Sequence, residues 1–222
     1  MNDIEIMSPA GSFESLSAAI KAGADSVYFG AGKLNMRSRS SVNFSCDDME
    51  EIAAVCRRAN VRGYLALNTV IYDDELPEMR RVLERARTAG IDAVIAADIS
   101  VIQYARAIGM PVHISVQANV SNIEAVRFYA QFADVMVLAR ELTLPQIREI
   151  ITTINAENIT GPGGDKIKIE IFAHGALCVS VSGKCYMSLG TYNSSANRGA
   201  CLQNCRRAYR VIDEETGEEL VV

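Results

Sequence analysis

The chain has only two histidines and no His-Glu-x-x-His motif, which excludes the helical zinc site of the common metalloproteases. No apolar run reaches the roughly 18 residues needed to span a bilayer. The opening residues MNDIEIMSPAG offer neither a basic flank nor a cleavable apolar stretch, so the expectation is a cytoplasmic protein with no membrane partner. An excess of positive charge is lacking too: the net charge of -5 argues against a protein that coats nucleic acid without specificity. No glycine-rich phosphate loop follows the first strand-like run, which counts against an open dinucleotide-binding sheet. One absence is local. Between Gly175 and Arg210 there is no Asp or Glu, yet Lys184, Arg198, Arg206, Arg207 and Arg210 all fall there, which leaves -10 on the remainder. Five cations in that stretch can balance the negative charge of thiolates or meet an anionic substrate.

Four of the six cysteines, Cys178, Cys185, Cys201 and Cys205, crowd into 28 residues of that acid-free stretch. Thiolates are soft ligands and a reducing compartment disfavours disulfides, so the group points first to a bound metal or iron–sulfur centre. The gaps of six, fifteen and three residues are not the paired CxxC knuckles of structural zinc, which puts zinc second and an iron–sulfur cluster first. Two disulfides, or free buried thiols, are the alternative. Cys201 and Cys205 stand one helical turn apart, so a short helix there would aim both sulfurs the same way. Cys56, inside EEIAAVCRRA, reads as a small core residue. Cys46 precedes a helix and is placed to face the same mouth as the other four.

Short apolar runs alternate with amphipathic stretches along the chain. IEIM, SVYFG, GYLALN, AVIAAD, VHISVQ, DVMVLA and KIKIEIF read as strands. Between them SFESLSAAIKAG, DDMEEIAAVCRRAN, ELPEMRRVLERARTAG, ISVIQYARAIG, NIEAVRFYAQF and LPQIREIITTIN carry apolar residues at helical spacing, several closed by Gly. Continuously apolar strands suit a parallel sheet covered on its outer face. An internal echo supports repeated βα units: Ala22-Gly23-Ala24-Asp25-Ser26-Val27 recurs as Ala89-Gly90-Ile91-Asp92-Ala93-Val94, 67 residues later. The fold class is therefore α/β, a (β/α)8 TIM-type barrel rather than a doubly wound sheet, incomplete at about seven βα units. The expected division is 1–175 as barrel, 176–210 as a cysteine-rich, cluster-binding segment after strand 7, and 211–222 as a hairpin turning at Glu215-Thr216-Gly217. The chain then stops before the last barrel unit, as a fragment or a shortened relative of a longer protein would.

The segment EIFAHGALCVSVSGKCYMS, Glu170 to Ser188, resembles the signature of the collagenase-like peptidase family, peptidase family U32. MSPAGSFESLSAAIKAGADSVYFG with Asn35, Arg37 and Asn43-Phe44 is similar to the opening of that family. Asn68-Thr69, Ser115-Val116-Gln117, Arg140-Glu141-Leu142 and Asn197-Arg198-Gly199 are similar to later landmarks. The resemblance implies two rival activities. One is a peptidase; the other is oxygen-independent hydroxylation of tRNA, rRNA or a quinone by proteins that hold a 4Fe–4S cluster on four cysteines. In the RNA-modifying members the oxygen is linked to prephenate. A noncatalytic cluster-bearing subunit, working with a protein partner of the same family, is a third reading.

The residues weigh these readings. A cluster accounts for Cys178, Cys185, Cys201 and Cys205 together, whereas a His174–Cys178 nucleophile pair accounts for one. His113 and His174 fall near strand ends and are the candidate catalytic histidines, with satisfied barrel histidines as the alternative. An anionic co-substrate such as prephenate needs a cationic fork, for which Arg37 and Arg140 are the candidates, although Glu141 competes for Arg140. Asn68, Gln117 and Asn119 end strands where polar side chains orient ligands or cap helices. Tyr186, Tyr192 and Tyr209, beside the basic residues, are placed to stack on a base or simply to pack the loop.

Overall fold

The computed structural model describes residues 4–36, 38, 43–175 and 178–220. Seven parallel strands pair in sequence order: β1 (Met7–Ala10), β2 (Ser26–Gly30), β3 (Arg62–Leu67), β4 (Ala93–Ala96), β5 (Val112–Ile114), β6 (Val135–Val137) and β7 (Lys168–Glu170). Among the described residues β7 does not pair with β1, so the sheet curls into a half-barrel with an open seam. Six helices follow the strands: α1 (Phe13–Lys21), α2 (Met49–Arg58), α3 (Leu76–Ala89), α4 (Ile99–Ala107), α5 (Ile123–Tyr129) and α6 (Leu144–Glu157).

Alternation along each strand builds two layers. Val27, Phe29, Leu65, Leu67, Val94, Ile114 and Met136 point outward into the principal core, where they meet Leu16, Ile52, Leu83, Ile102 and Ile154 of the helices. The opposite faces carry Tyr64, Ala93 and Ile95, with Met7 and Tyr28 packed against them inside the curve. Burial on both faces is why the strands read as continuous apolar runs. At about 25 cal/mol per Å², each fully covered Leu, Ile or Phe contributes roughly 1.5–3 kcal/mol.

The repeat in the sequence has a structural cause. Asp25 precedes β2, and its carboxylate accepts a 2.8 Å hydrogen bond from the Ile6 backbone N–H. Asp92 precedes β4 and accepts one of 2.7 Å from Gly63 N–H. Asp134, before β6, accepts one of 2.8 Å from Gly163 N–H on the approach to β7. Each aspartate ties a strand entrance to a neighbouring segment and satisfies an N–H that the ladder leaves over. Gly90, at φ 82°, closes α3 ahead of Asp92 as the left-handed cap the motif requires.

The first strand departs from expectation. The sequence predicts the strand at IEIM, but pairing begins at Met7, opposite Ser26, and continues through Pro9 to Ala10. A parallel ladder needs a partner, and β2 starts only at Ser26, so Ile4 and Ile6 overhang and are exposed. Pro9 is tolerated because β1 is an edge strand, paired on one side only. At the other end, β8 (Val211–Ile212) and β9 (Glu219–Leu220) form an antiparallel hairpin. Asp213 accepts from the N–H groups of Glu215 and Thr216 in its turn, with Gly217 at φ 74°. Among the described residues no helix is long and apolar enough to cross a membrane.

Candidate functional site

Residues 178–207 fold into a small lobe that lies over the C-terminal ends of the strands. One side is held at β5 and β6. The Arg140 guanidinium, just past β6, donates to the Ser180 carbonyl at 3.1 Å and to Ser182 Oγ at 2.9 Å. Gly183, at φ 73°, lies so close to the Gln117 carbonyl that a Cβ there would stand 2.5 Å from the oxygen. The opposite side is held at the loops after β2 and β3. Val70 N–H donates to the Asn197 carbonyl at 3.3 Å, and Ser38 Oγ donates to the Gly199 carbonyl at 3.4 Å. Arg198 bonds Glu75 bidentately and stacks on Tyr72, with its guanidinium carbon 3.8 Å from the ring centroid. The lobe thus bridges the mouth where a (β/α) barrel places its chemistry.

Inside the lobe, α7 (Met187–Tyr192) packs against 3-10 turns at Ala196–Arg198 and Asn204–Arg206. Its centre is polar rather than apolar. Ser182, Ser188, Ser194 and Asn204 are all buried. Ser188 Oγ accepts from Leu202 N–H at 3.0 Å, Ser194 Oγ donates to the Ala200 carbonyl at 2.8 Å, and Asn204 Nδ2 donates to Thr191 Oγ1 at 3.0 Å. So small a unit has no apolar core of its own, and it is held by side-chain hydrogen bonds worth roughly 0.5–1.5 kcal/mol each.

All four clustered cysteines are free thiols; Cys178 and Cys201 are exposed, Cys185 and Cys205 half-buried. Asn197 Oδ1 accepts from Cys185 N–H at 3.2 Å, and Gln203 N–H points at Cys201 Sγ at 3.4 Å. No helix spans Cys201 to Cys205, contrary to expectation. Gln203 takes a left-handed φ of 54°, which interrupts any helical run, and only Asn204–Arg206 turns as a 3-10 helix. Among the described residues no three Cys, His, Asp or Glu side chains converge tightly enough for a single metal ion. Four thiolates are a donor set that an iron–sulfur cluster and a tetrahedral zinc ion both take. Accessible thiols on an acid-free lobe, flanked by backbone N–H groups, suit a group that is itself negatively charged.

The other cysteines belong elsewhere. Cys56 is buried in α2, as its place in the sequence suggests. Cys46 does not face the mouth. It packs against the principal core beneath Gly32, where burial pushes its thiol above the ordinary range.

The histidines part company. His113 is the inward residue of β5, its ring 4.5 Å from that of Tyr64. It lines a cavity of about 240 Å³ with Arg62, Asp134 and Lys168, which stand at strand entrances, so it lies at the end opposite the lobe. Burial lowers its pKa to about 4, and its Nδ1 has no hydrogen-bond partner. His174 is exposed, four residues beyond β7.

Arg37 lies outside the described residues. Arg140 is a fastener of the lobe and does not pair with Glu141. Asn68 is a bridge: Oδ1 accepts from Met36 N–H at 3.1 Å and Nδ2 donates to Ser115 Oγ at 3.3 Å, tying the loop after β2 to the end of β5. Gln117 and Asn119 each bury a side-chain oxygen without a partner beside the lobe. A cavity of about 300 Å³ opens between Lys33, Leu34, Ser38, Thr69, Glu75, Arg198 and Ala200. Glu170, the last residue of β7, is not among the site residues that the sequence singles out. It sits on the inward register with Val137 and has its pKa raised to about 7, first by burial and then by the charge of Glu5. An acid that follows two lysines in the alternating run KIKIEIF, at the strand's last position, is the available signal.

The model of peptidase family U32 matches residues 11–220. A protein of Porphyromonas gingivalis named collagenase is 58% identical over 99% of this chain and 53% of its own length. The 23S rRNA 5-hydroxycytidine C2501 synthase of Escherichia coli is 34% identical over 96% of this chain and 30% of its own, and tRNA hydroxylation protein P1 of Bacillus subtilis is 31% identical over 92% and 46%. Among solved structures, a U32 peptidase superposes with a TM-score of 0.59 at 14% identity, covering 76% of this chain and 67% of that one, a likeness of fold. The chain spans about half the length, or less, of the curated relatives it matches. With most of its length matched by the family model and 58% identity to one relative, the chain belongs to peptidase family U32.

Proposed function

We propose that this chain is a cluster-bearing factor for oxygen-independent hydroxylation of tRNA or rRNA. The observation that carries this reading is the lobe with four free cysteines, without Asp or Glu from Ile171 to Ile212, docked across the strand ends of a half-barrel. Cys178, Cys185, Cys201 and Cys205 hold a 4Fe–4S cluster, which supplies one-electron chemistry when bound. Asn197, Gln203 and the Arg198–Glu75 pair keep the cysteine loops in place. Converting a base C–H to C–OH removes two electrons from the base. An organic oxygen donor of the prephenate class supplies the oxygen atom and takes up both electrons. The cavity lined by Lys33, Ser38 and Thr69 has the size for such a carboxylate, with Lys33 as its cation, since Arg198 on the same wall is already bound to Glu75. Glu170, with a pKa near 7, is placed to hold or release a proton inside the curve.

The peptidase reading rests on the name of the 58% identical relative. It lacks a nucleophile–base hydrogen bond among the described residues, since His113 stacks on Tyr64 and no bond joins His174 to a cysteine or serine. One experiment separates the two. In a deletion strain, one hydroxylated nucleoside should disappear from the RNA, return with the wild-type gene and fail to return with Cys205→Ala. An unchanged nucleoside profile, together with gelatin cleavage by iron-free protein, would put the peptidase first.

A further inference from the structure

We infer that the outer face of the lobe, around Tyr192, Tyr209, Arg206 and Arg207, is a stacking platform for single-stranded RNA, which names the substrate surface of the hydroxylase reading and rests on it. Three observations carry the inference. The first is aromatic exposure with the polar end tied down. Tyr192 and Tyr209 are 50% and 61% exposed, yet both hydroxyls are tethered. Tyr192 OH accepts a 2.8 Å bond from the Arg207 guanidinium, and Tyr209 OH donates a 2.7 Å bond to the Asn204 carbonyl. The Arg207 guanidinium carbon stands 5.4 Å from the Tyr192 ring centroid, so a base would stack on the other face of that ring. A half-exposed ring whose polar end is already bonded is pre-organised to receive a flat apolar partner, at little cost in side-chain entropy.

The second observation is that the two rings share one support. Asn204 is buried, bonds Thr191 next to Tyr192, and gives its carbonyl to Tyr209, so both aromatics are anchored through the same side chain and turn. The third is charge. Arg206 and Arg207 are exposed, and no acid occurs within the 42 residues from Ile171 to Ile212. Aromatic faces beside exposed guanidinium groups match unpaired bases on a phosphate chain, with Arg210, next to Tyr209, already paired to Glu219 of the hairpin and outside the platform. A collagen-like peptide offers neither the bases nor the charge. Duplex RNA offers the charge but hides its base faces. The platform is on the same lobe as the cysteines, with Arg206 and Arg207 directly after Cys205 in the chain.

The test is binding of a fluorescein-labelled single-stranded 12-mer RNA to the protein, followed by anisotropy, with the same RNA as a duplex and a gelatin peptide as competitors. Replacing both rings, Tyr192→Ala with Tyr209→Ala, is expected to weaken single-strand binding by about 25-fold or more, because stacking contributes roughly 5–150-fold for each base. Tyr192→Phe with Tyr209→Phe keeps the faces and stays within about threefold of wild type. Arg206→Gln with Arg207→Gln lowers the salt dependence by about two phosphate contacts. Iron content and far-ultraviolet circular dichroism of each variant confirm that the lobe has folded. Duplex bound as tightly as single strand, binding indifferent to the two alanines, or displacement of RNA by gelatin would each overturn the platform. Hydroxylated nucleoside that persists in cells carrying the double-alanine variant rejects the platform alone. A nucleoside profile unchanged by deleting the gene rejects the underlying reading instead.

Discussion

Arg198 and Glu75 form a half-buried, two-pronged ion pair, with bonds of 2.9 and 2.5 Å, between the cysteine lobe and the loop after β3. It is the strongest single tie across that side of the mouth, since the guanidinium also stacks on Tyr72 and donates to the Val70 carbonyl. Arg198 holds the Glu75 carboxyl below its ordinary value of 4.5. A depressed carboxylate stabilises the docked lobe above pH 4.5 and stops doing so as pH falls through the lowered folded value.

Arg198→Met is therefore expected to loosen the lobe by about 1–3 kcal/mol, the worth of hydrogen bonds between charged groups. Hydrogen exchange should report it, with faster exchange across residues 185–205 and unchanged rates in β3 and β4. Equal protection in the variant would mean that the lobe is held from the Arg140 side alone.

Glu170 gives a pH dependence of the opposite sign. Its folded pKa, about 7, is raised above the ordinary 4.5, chiefly by burial and further by Glu5. The folded state binds a proton that the unfolded chain has already lost, so stability declines as pH rises from 4.5 to 7. Glu170→Gln removes that penalty. Its Tm should exceed wild type at pH 8, by about 1–3 kcal/mol of stability, and match it at pH 4.5. A variant no more stable at pH 8 would show that the carboxylate is solvated in the native protein.

His113 acts on the acid side. With a folded pKa of about 4 against 6.5, it is buried neutral, and the stability it permits above 6.5 is lost as pH falls toward 4. Glu5 and Asp134 face it and partly offset burial, while Arg62 and Lys168 add to it. His113→Phe keeps the ring against Tyr64 and removes the unpartnered Nδ1. The expected outcome is a flatter acid limb in a urea-unfolding series between pH 4 and 6.5.

These predictions separate what the chain displayed from what it concealed. Parallel strands were legible because burial on both faces leaves continuous apolar runs, and the Asp25–Asp92 echo marks two strand entrances bonded in the same way. Helix limits were legible where a cap is written, as with Ser12 ahead of α1 and Gly90 after α3. The strand entrance at Met7 was not, because the partner's start at Ser26 decides it. Nor was the helix expected across Cys201 and Cys205: residue spacing cannot show that Gln203 turns left-handed. The mouth was the least legible part. Arg140, Asn68 and Arg198 take their roles from partners at separations of 40, 47 and 123 residues, and no local pattern announces a contact of that range.

The cysteines themselves supply the last prediction. Cys178, Cys185, Cys201 and Cys205 belong to one lobe, whereas Cys46 and Cys56 belong to the helix-side core, where burial raises both thiols. A raised thiol stays protonated at neutral pH and is a poor metal ligand. In protein purified without oxygen, Cys201→Ala should lose most of its iron and acid-labile sulfide together with the visible absorption, while Cys46→Ala retains all three. Cys46→Ala also opens a small space beneath Gly32 and should cost roughly 1 kcal/mol in stability, read as a Tm shift without loss of iron. Iron lost equally from both variants would place the cluster outside the lobe, and with it the hydroxylase reading would lose its principal support.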